Sequence, residues 1–138
     1  MKVKFKKIDL NAVIPSKAHA TDAGFDLVGT SKTVSEKYTE IGTGLAVSIP
    51  KGFVGLIFPR SSISNYSNLL SNSVGVIDAG YHGEIKFRFK TLGWNKTYEV
   101  GDKIGQLVIM PIPEIELVEV QELEDSERGQ AGFGSSGA

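Results

Sequence analysis

The chain has 138 residues, 41% of them hydrophobic, which suits one domain with a real core. Fifteen basic against sixteen acidic residues leave a net charge of -1, which removes the electrostatic case for a nucleic-acid or anionic-membrane partner. There is no cysteine and histidine occurs only at 19 and 82, so a disulfide framework and a thiolate metal site are excluded and ligands for a typical zinc centre are too few.

The opening MKVKFKK alternates Lys2, Lys4 and Lys6 with Val3 and Phe5, a strand period rather than the apolar stretch of a signal peptide. No apolar run reaches the ~18 residues that a membrane helix needs. A cytoplasmic protein is expected, or one of the host-cell cytosol if the source is viral. Next comes ATDAGFDL, in which Asp22 and Asp26 flank a glycine turn. Either carboxylate suits a hard cation held through water, or an Asx-turn.

Leu45–Ile49 and Phe53–Phe58 are predicted strands. The second runs into FPRSSISN, where Pro59 restrains the backbone before Arg60, Ser61 and Ser62. A guanidinium beside two hydroxyls suits phosphate oxygens; a serine-rich cap with a surface arginine is the structural alternative. Ser61–Leu70 is predicted to hold a helical turn or two, capped by one of its serines.

In GVIDAGYHGEIKF, the apolar strand Val74–Ile77 enters Asp78, then the small turn Ala79-Gly80, then Tyr81 and a return strand. Ile85, Phe87 and Phe89 alternate there with Lys86, Arg88 and Lys90, as in a half-buried strand. A carboxylate at the mouth of such a hairpin suits a general base, and Tyr81 offers a flat wall for a sugar or base. The structural alternative is a turn-capping aspartate. His82 reads as an exposed turn residue.

Ile104–Ile112 is a further predicted strand, and within it Gln106 needs a polar partner, a structural group or a phosphate. Ile115–Val120 is another strand candidate, and the acidic Glu122–Arg128 reads as a hinge. The tail RGQAGFGSSGA, Arg128 to Ala138, is too rich in glycine for a helix or strand. Yet it carries Arg128, Phe133, Ser135 and Ser136, groups that hold a phosphate chain and stack on a base, and Gly129, Gly132, Gly134 and Gly137 let backbone N–H groups close on an anion. A frayed terminus is the plain alternative. Fully extended, these residues reach ~36–40 Å at ~3.3–3.6 Å each. Many short strands, frequent turn signals, no sustained helical period and no internal repeat predict an all-β sandwich, jelly roll or barrel.

Taken in order, ATDAGFDL, FPRSS, GVIDAGYHGEIKF, GDKIGQLVIMPIP and RGQAGFGSSG resemble the five motifs of the trimeric dUTP diphosphatases (dUTPases), and the resemblance covers almost the whole chain. It implies an all-β, jelly-roll-like or β-clip barrel over residues 1–127, a mobile C-terminal lid over 128–138, and a homotrimer with active sites shared between subunits. The implied activity is Mg2+-assisted hydrolysis of dUTP to dUMP and pyrophosphate, which limits uracil incorporation into DNA and supplies dUMP for dTMP synthesis. By position, Asp78 matches the general base and Tyr81 the aromatic under the deoxyribose. Gly75, Val76 and Ile77, with Asn72 and Lys86 nearby, match the segment that reads uracil. Arg60, Ser61, Ser62 and Gln106 match phosphate contacts, and Asp26 an acid that meets the metal through water. Arg128, Phe133, Gly134, Ser135 and Ser136 match the closing tail, Phe133 stacking on uracil. The chain departs from the family pattern at Asn65–Leu69 and at Gln130-Ala131. A deaminase of dCTP on the same fold is the rival enzyme, and a non-catalytic nucleotide-binding or signalling module the rival of another class.

Overall fold

Ile85, Phe87 and Phe89 point into the protein while Lys86, Arg88 and Lys90 face out, so one strand separates core from solvent by its period of two. The computed structural model describes residues 1–137. Among them lie nine strands: β1 (Lys4–Lys7), β2 (Phe25–Val28), β3 (Ser31–Val34), β4 (Thr39–Ser48), β5 (Phe53–Phe58), β6 (Asn68–Leu70), β7 (Gly75–Ile77), β8 (Glu84–Thr91) and β9 (Lys103–Pro111). All pair antiparallel, in two sheets. One has the order β1-β4-β8-β6, with β3 also on β4; the other has the order β2-β9-β5-β7.

The core is made of Leu27, Ile41, Leu45, Ile57, Ile85, Phe87, Phe89, Ile104 and Leu107 with their neighbours, drawn from both sheets. Full burial of each large apolar side chain is worth about 1.5–3 kcal/mol. Phe87 and Phe89 stack at 5.9 Å between centroids.

β4 is broken in its middle, where its register with β8 shifts between Gly42 and Ala46. Gly44 sits there at φ 66°, and a Cβ on it would lie 2.7 Å from the Cβ of Asp9, so the site demands glycine. The buried Thr43 hydroxyl donates to the carbonyl of Ile85 at 2.8 Å, and Glu84 Oε1 accepts from the Gly44 N–H at 2.9 Å. The bulge lets the first half of β4 pair with β3 and the second with β1.

The all-β expectation holds, but the expected barrel does not close. β6 ends one sheet and β7 the other, and no ladder joins the sheets among the described residues. Ile115–Val120 is not a strand, because among the described residues no strand lies beside it to complete a ladder; Ile115, Leu117, Val118 and Val120 are exposed instead. The helical turn after Arg60 is a 3-10 helix, Ser61–Asn65, with no side-chain cap. Ser64 Oγ donates back to the Ser61 carbonyl at 3.2 Å. The end of that predicted segment, Asn68–Leu70, is β6. Tertiary pairing also makes strands of Phe25–Val28 and Ser31–Val34, which the glycine-flanked local sequence had not announced.

Candidate active site

β7 pairs with β5 through Gly55↔Ile77, Leu56↔Val76 and Ile57↔Gly75, whereas β8 pairs with β4 and β6. GVIDAGYHGEIKF is therefore an arch between the two sheets and not the paired hairpin expected from its sequence. The reason is that each strand finds a longer partner elsewhere. Asp78 stands exposed at the start of the crossing, and its carbonyl accepts from the Tyr81 N–H at 3.0 Å. The Tyr81 hydroxyl donates to the Glu84 carbonyl at 2.9 Å, which pins the ring over Gly83. A Cβ on Gly83 would lie 2.4 Å from that hydroxyl, so glycine makes the packing possible.

Asp78, Tyr81, Asn72 and Gly75–Ile77 line one cavity of about 520 Å3. Its other wall is charged. Glu40 Oε2 accepts from Arg88 Nε at 2.8 Å, and Glu40 Oε1 from Lys86 Nζ at 3.2 Å; Glu84 lies 3.6 Å from the same ammonium. The hydrogen bond from Arg88, with those from Lys86 behind it, holds the Glu40 carboxyl below the ordinary range. Glu40 in turn raises Lys86. Arg88 also lies over the Tyr38 ring at 4.3 Å.

A second cavity, of about 280 Å3, is lined by Asp22, Asp26, Arg60, Ser61 and Gln106. Asp26 lies in β2 opposite Gln106 in β9. Each of its carboxylate oxygens has a cationic partner: Arg60 Nε at 2.9 Å from Oδ1 and Lys103 Nζ at 2.8 Å from Oδ2. Arg60 Nη1 makes a long contact to Ser62 Oγ at 3.4 Å. Gln106 has the partner its strand position demanded, since Nε2 donates to the Pro59 carbonyl at 3.0 Å. Asp22 is committed to a turn, its Oδ2 accepting from the His19 N–H at 2.8 Å. Among the described residues no group of three or more His, Cys, Asp or Glu is placed to hold a metal. Lys103 escaped the sequence reading, because only the β2–β9 register distinguishes it from the other exposed lysines.

The two cavities share no lining residue. The tail joins neither of them. Arg128 Nε donates to the Ala131 carbonyl at 2.8 Å, and among the described residues the other hydrogen bonds of 129–137 run to neighbours within the segment or to Ser126. Phe133 is fully exposed, at φ 42°. Ala131 is not among the residues with positive φ, so no left-handed strain attaches to it. Ala138 lies outside the described residues. No helix among them is long and apolar enough to cross a membrane.

The dUTPase family model matches residues 11–137. The chain is 39% identical to the deoxyuridine 5'-triphosphate nucleotidohydrolase of Rhodococcus erythropolis, over 99% of this chain and 87% of that one. It is similar to the solved structure of the Staphylococcus bacteriophage 80alpha dUTPase with dUPNHPP, with a TM-score of 0.84, 34% identity and 99% of each chain covered. A dUTPase mutant from phage phi11 of S. aureus, described as revealing the coordination of a structural Mg(II) ion, matches with a TM-score of 0.73 and 31% identity, over 91% of this chain and all of that one. With the family model and full-length relatives in agreement, the chain belongs to the dUTPase family.

Proposed function

We propose that this protein hydrolyses dUTP to dUMP and pyrophosphate. One observation carries the reading beyond family membership: Asp78 and Tyr81 of the arch line one cavity, Arg60, Ser61 and Gln106 line another, and neither cavity holds both sets of groups. That division suits a homotrimer in which one subunit offers the arch and another the phosphate contacts, with the tail of residues 128–138 closing from a subunit as a lid over the domain of residues 1–127.

Asp78, exposed beside the cavity, acts as the general base. It takes a proton from a water whose oxygen attacks the α-phosphorus. The bond from that phosphorus to the bridging oxygen breaks, and pyrophosphate leaves. Tyr81, held by the Glu84 carbonyl, packs against the deoxyribose where a 2′-hydroxyl has no room. The backbone of Gly75–Ile77, with Asn72 and Lys86 nearby, reads uracil; fixed backbone donors and acceptors discriminate without side-chain entropy. Arg60, Ser61, Ser62 and Gln106 meet phosphate oxygens. Arg128, Phe133, Gly134, Ser135 and Ser136 complete the enclosure, Phe133 stacking on the base.

Mg2+ fits this donor set only as a guest of the substrate. Asp26 is the carboxylate nearest the phosphate contacts, and both of its oxygens are already paired with cations. Mg2+ commonly keeps several waters and binds through one or two carboxylates plus substrate phosphates. Asp26 would therefore meet it through water, and the ion would neutralise charge on the phosphoryl oxygens.

The test is to assay dUTP and dCTP side by side for pyrophosphate and ammonia. Pyrophosphate from dUTP is expected. Ammonia from dCTP would establish the deaminase instead, and neither product would leave a nucleotide-binding module.

A further inference from the structure

The Gly44 N–H, in the middle of the β4 bulge, is taken by a side chain: Glu84 Oε1 accepts from it at 2.9 Å. Glu84 opens β8 and lines the same cavity as Asp78 and Tyr81. Its side chain is only 22% exposed, and a carboxylate so placed needs partners. Oε1 has the bulge, and Oε2 lies 3.6 Å from Lys86 Nζ. Gly42 makes the room, since a Cβ there would collide with Oε1.

The backbone carbonyl of the same residue has a separate task. It accepts from the Tyr81 hydroxyl at 2.9 Å. At its other end Tyr81 is held by its own N–H, which donates to the Asp78 carbonyl at 3.0 Å. The residue is 47% exposed, so packing alone does not fix the ring and the two bonds must. The hydroxyl is then only as steady as the carbonyl that receives it.

That carbonyl sits where β8 is weakly paired. Beyond the bulge the β4–β8 ladder consists of the single pair Ala46↔Glu84. Thr43 fixes the next residue, its hydroxyl donating to the Ile85 carbonyl at 2.8 Å. On the other side stands Gly83, which has no side chain to hold the chain. The Glu84 carboxylate supplies the missing anchor.

We propose that Glu84 is a positioning residue for the deoxyribose wall: its carboxylate, tied to the Gly44 N–H in the β4 bulge, fixes the carbonyl on which the Tyr81 hydroxyl rests, and so sets how firmly the site refuses a 2′-hydroxyl. The proposal rests on the reading of Tyr81 as the wall against the deoxyribose. A clash rejects a ribonucleotide only as far as the wall stays put, and a side chain locked by supporting hydrogen bonds yields less than one held by its backbone alone. The glycine-bearing bulge, remote in sequence from the arch, thereby contributes to the choice of sugar.

The experiment compares kcat/KM for dUTP with that for UTP, read as pyrophosphate release, in the wild type, Glu84→Ala, Glu84→Gln, Tyr81→Phe and the double variant Glu84→Ala with Tyr81→Phe. Thermal melting is recorded for each. Glu84→Ala and Tyr81→Phe are each expected to lower the dUTP-to-UTP ratio about tenfold, the size of one hydrogen bond to a charged group. The double variant should lose no more than either alone, because both cut one tether. In Glu84→Gln the amide oxygen still accepts from the Gly44 N–H and only the ion pair with Lys86 is lost, so the ratio should return to the wild-type value. A merely structural role would lower melting temperature without moving the ratio. If Glu84→Ala does not fold, Glu84→Asp, one methylene too short for the bulge, takes its place with the same expectation. The proposal is overturned by an unchanged ratio in Glu84→Ala or Tyr81→Phe, by losses that multiply in the double variant, or by a Glu84→Gln variant as poor as Glu84→Ala. Each of these leaves the wild-type activity on dUTP standing. A wild type that does not prefer dUTP to UTP would overturn the reading of Tyr81, and one inert on dUTP the functional reading, each taking this inference with it.

Discussion

Arg60 Nε donates to Asp26 Oδ1 across 2.9 Å, joining residues 34 positions apart, while Lys103 Nζ holds the other oxygen at 2.8 Å. The acid of one motif is thus fixed by the guanidinium of another. Asp26→Asn keeps the shape but leaves two cations without their counter-charge. The expected result is a fall in kcat/KM for Mg-dUTP of about tenfold or more, the size of a charge-assisted contact, together with a raised Mg2+ requirement. Steady-state rates across a Mg2+ series check this, and an unchanged Mg2+ dependence would remove Asp26 from the metal's neighbourhood.

Asp78→Asn removes a base while keeping size and hydrogen-bonding capacity. Turnover should fall by about 100-fold to 10,000-fold, the usual span for general-base removal, with nucleotide affinity retained. Pyrophosphate release and calorimetric titration with a non-hydrolysable dUTP analogue measure the two quantities separately. Near-normal turnover would show that another group activates the water.

Cutting the chain before Arg128 should leave the melting temperature close to the full-length value, because among the described residues 128–137 hydrogen-bond only to one another and to Ser126. Turnover should be crippled. Phe133→Trp should report nucleotide by fluorescence, since the ring is fully exposed in the free protein and would become covered on docking. A truncated protein of full activity, or a tryptophan signal indifferent to nucleotide, counts against the lid.

Glu40 gives a pH signature. Its carboxyl is held below its ordinary value of 4.5, chiefly by the hydrogen bond from Arg88. A depressed pKa stabilises the fold above the unfolded value and ceases to do so as pH falls through the folded one. Glu40→Gln should therefore melt lower than the wild type at pH 7, and the gap should close below about pH 4.5 as both states protonate. Melting curves from pH 7 to pH 3 test the direction; a gap that widens in acid would contradict the assignment.

Gly44→Ala should destabilise the protein by about 1 kcal/mol or more, through a disfavoured positive φ and a clash with the Cβ of Asp9. Chemical denaturation measures it directly. A neutral result would mean that the bulge in β4 relaxes at no cost.

Much of the chemistry was legible along the chain. Asp78, Tyr81, Arg60, Gln106 and the tail were each recognisable as residue types in motifs, since a motif is local and the groups it needs are printed within a few positions. The alternation of Ile85, Phe87 and Phe89 with Lys86, Arg88 and Lys90 marked β8 and its buried face for the same reason. The absence of cysteine likewise ruled out a disulfide framework before any fold was considered.

What the linear chain leaves open depends on pairings between distant segments. Residues 25–28 and 31–34 become strands only because β9 and β4 offer them ladders, and Ile115–Val120 stays unpaired because this chain offers it none. Lys103 becomes Asp26's second partner through the β2–β9 register, and Tyr98 stacks on Tyr66, the residue that ends the 3-10 helix of Ser61–Asn65. The separation of Asp78 and Tyr81 from Arg60 and Gln106 into two cavities is of the same kind. Local composition determined which groups the protein carries, while long-range strand pairing and side-chain packing, which no short window contains, decided which of those groups meet.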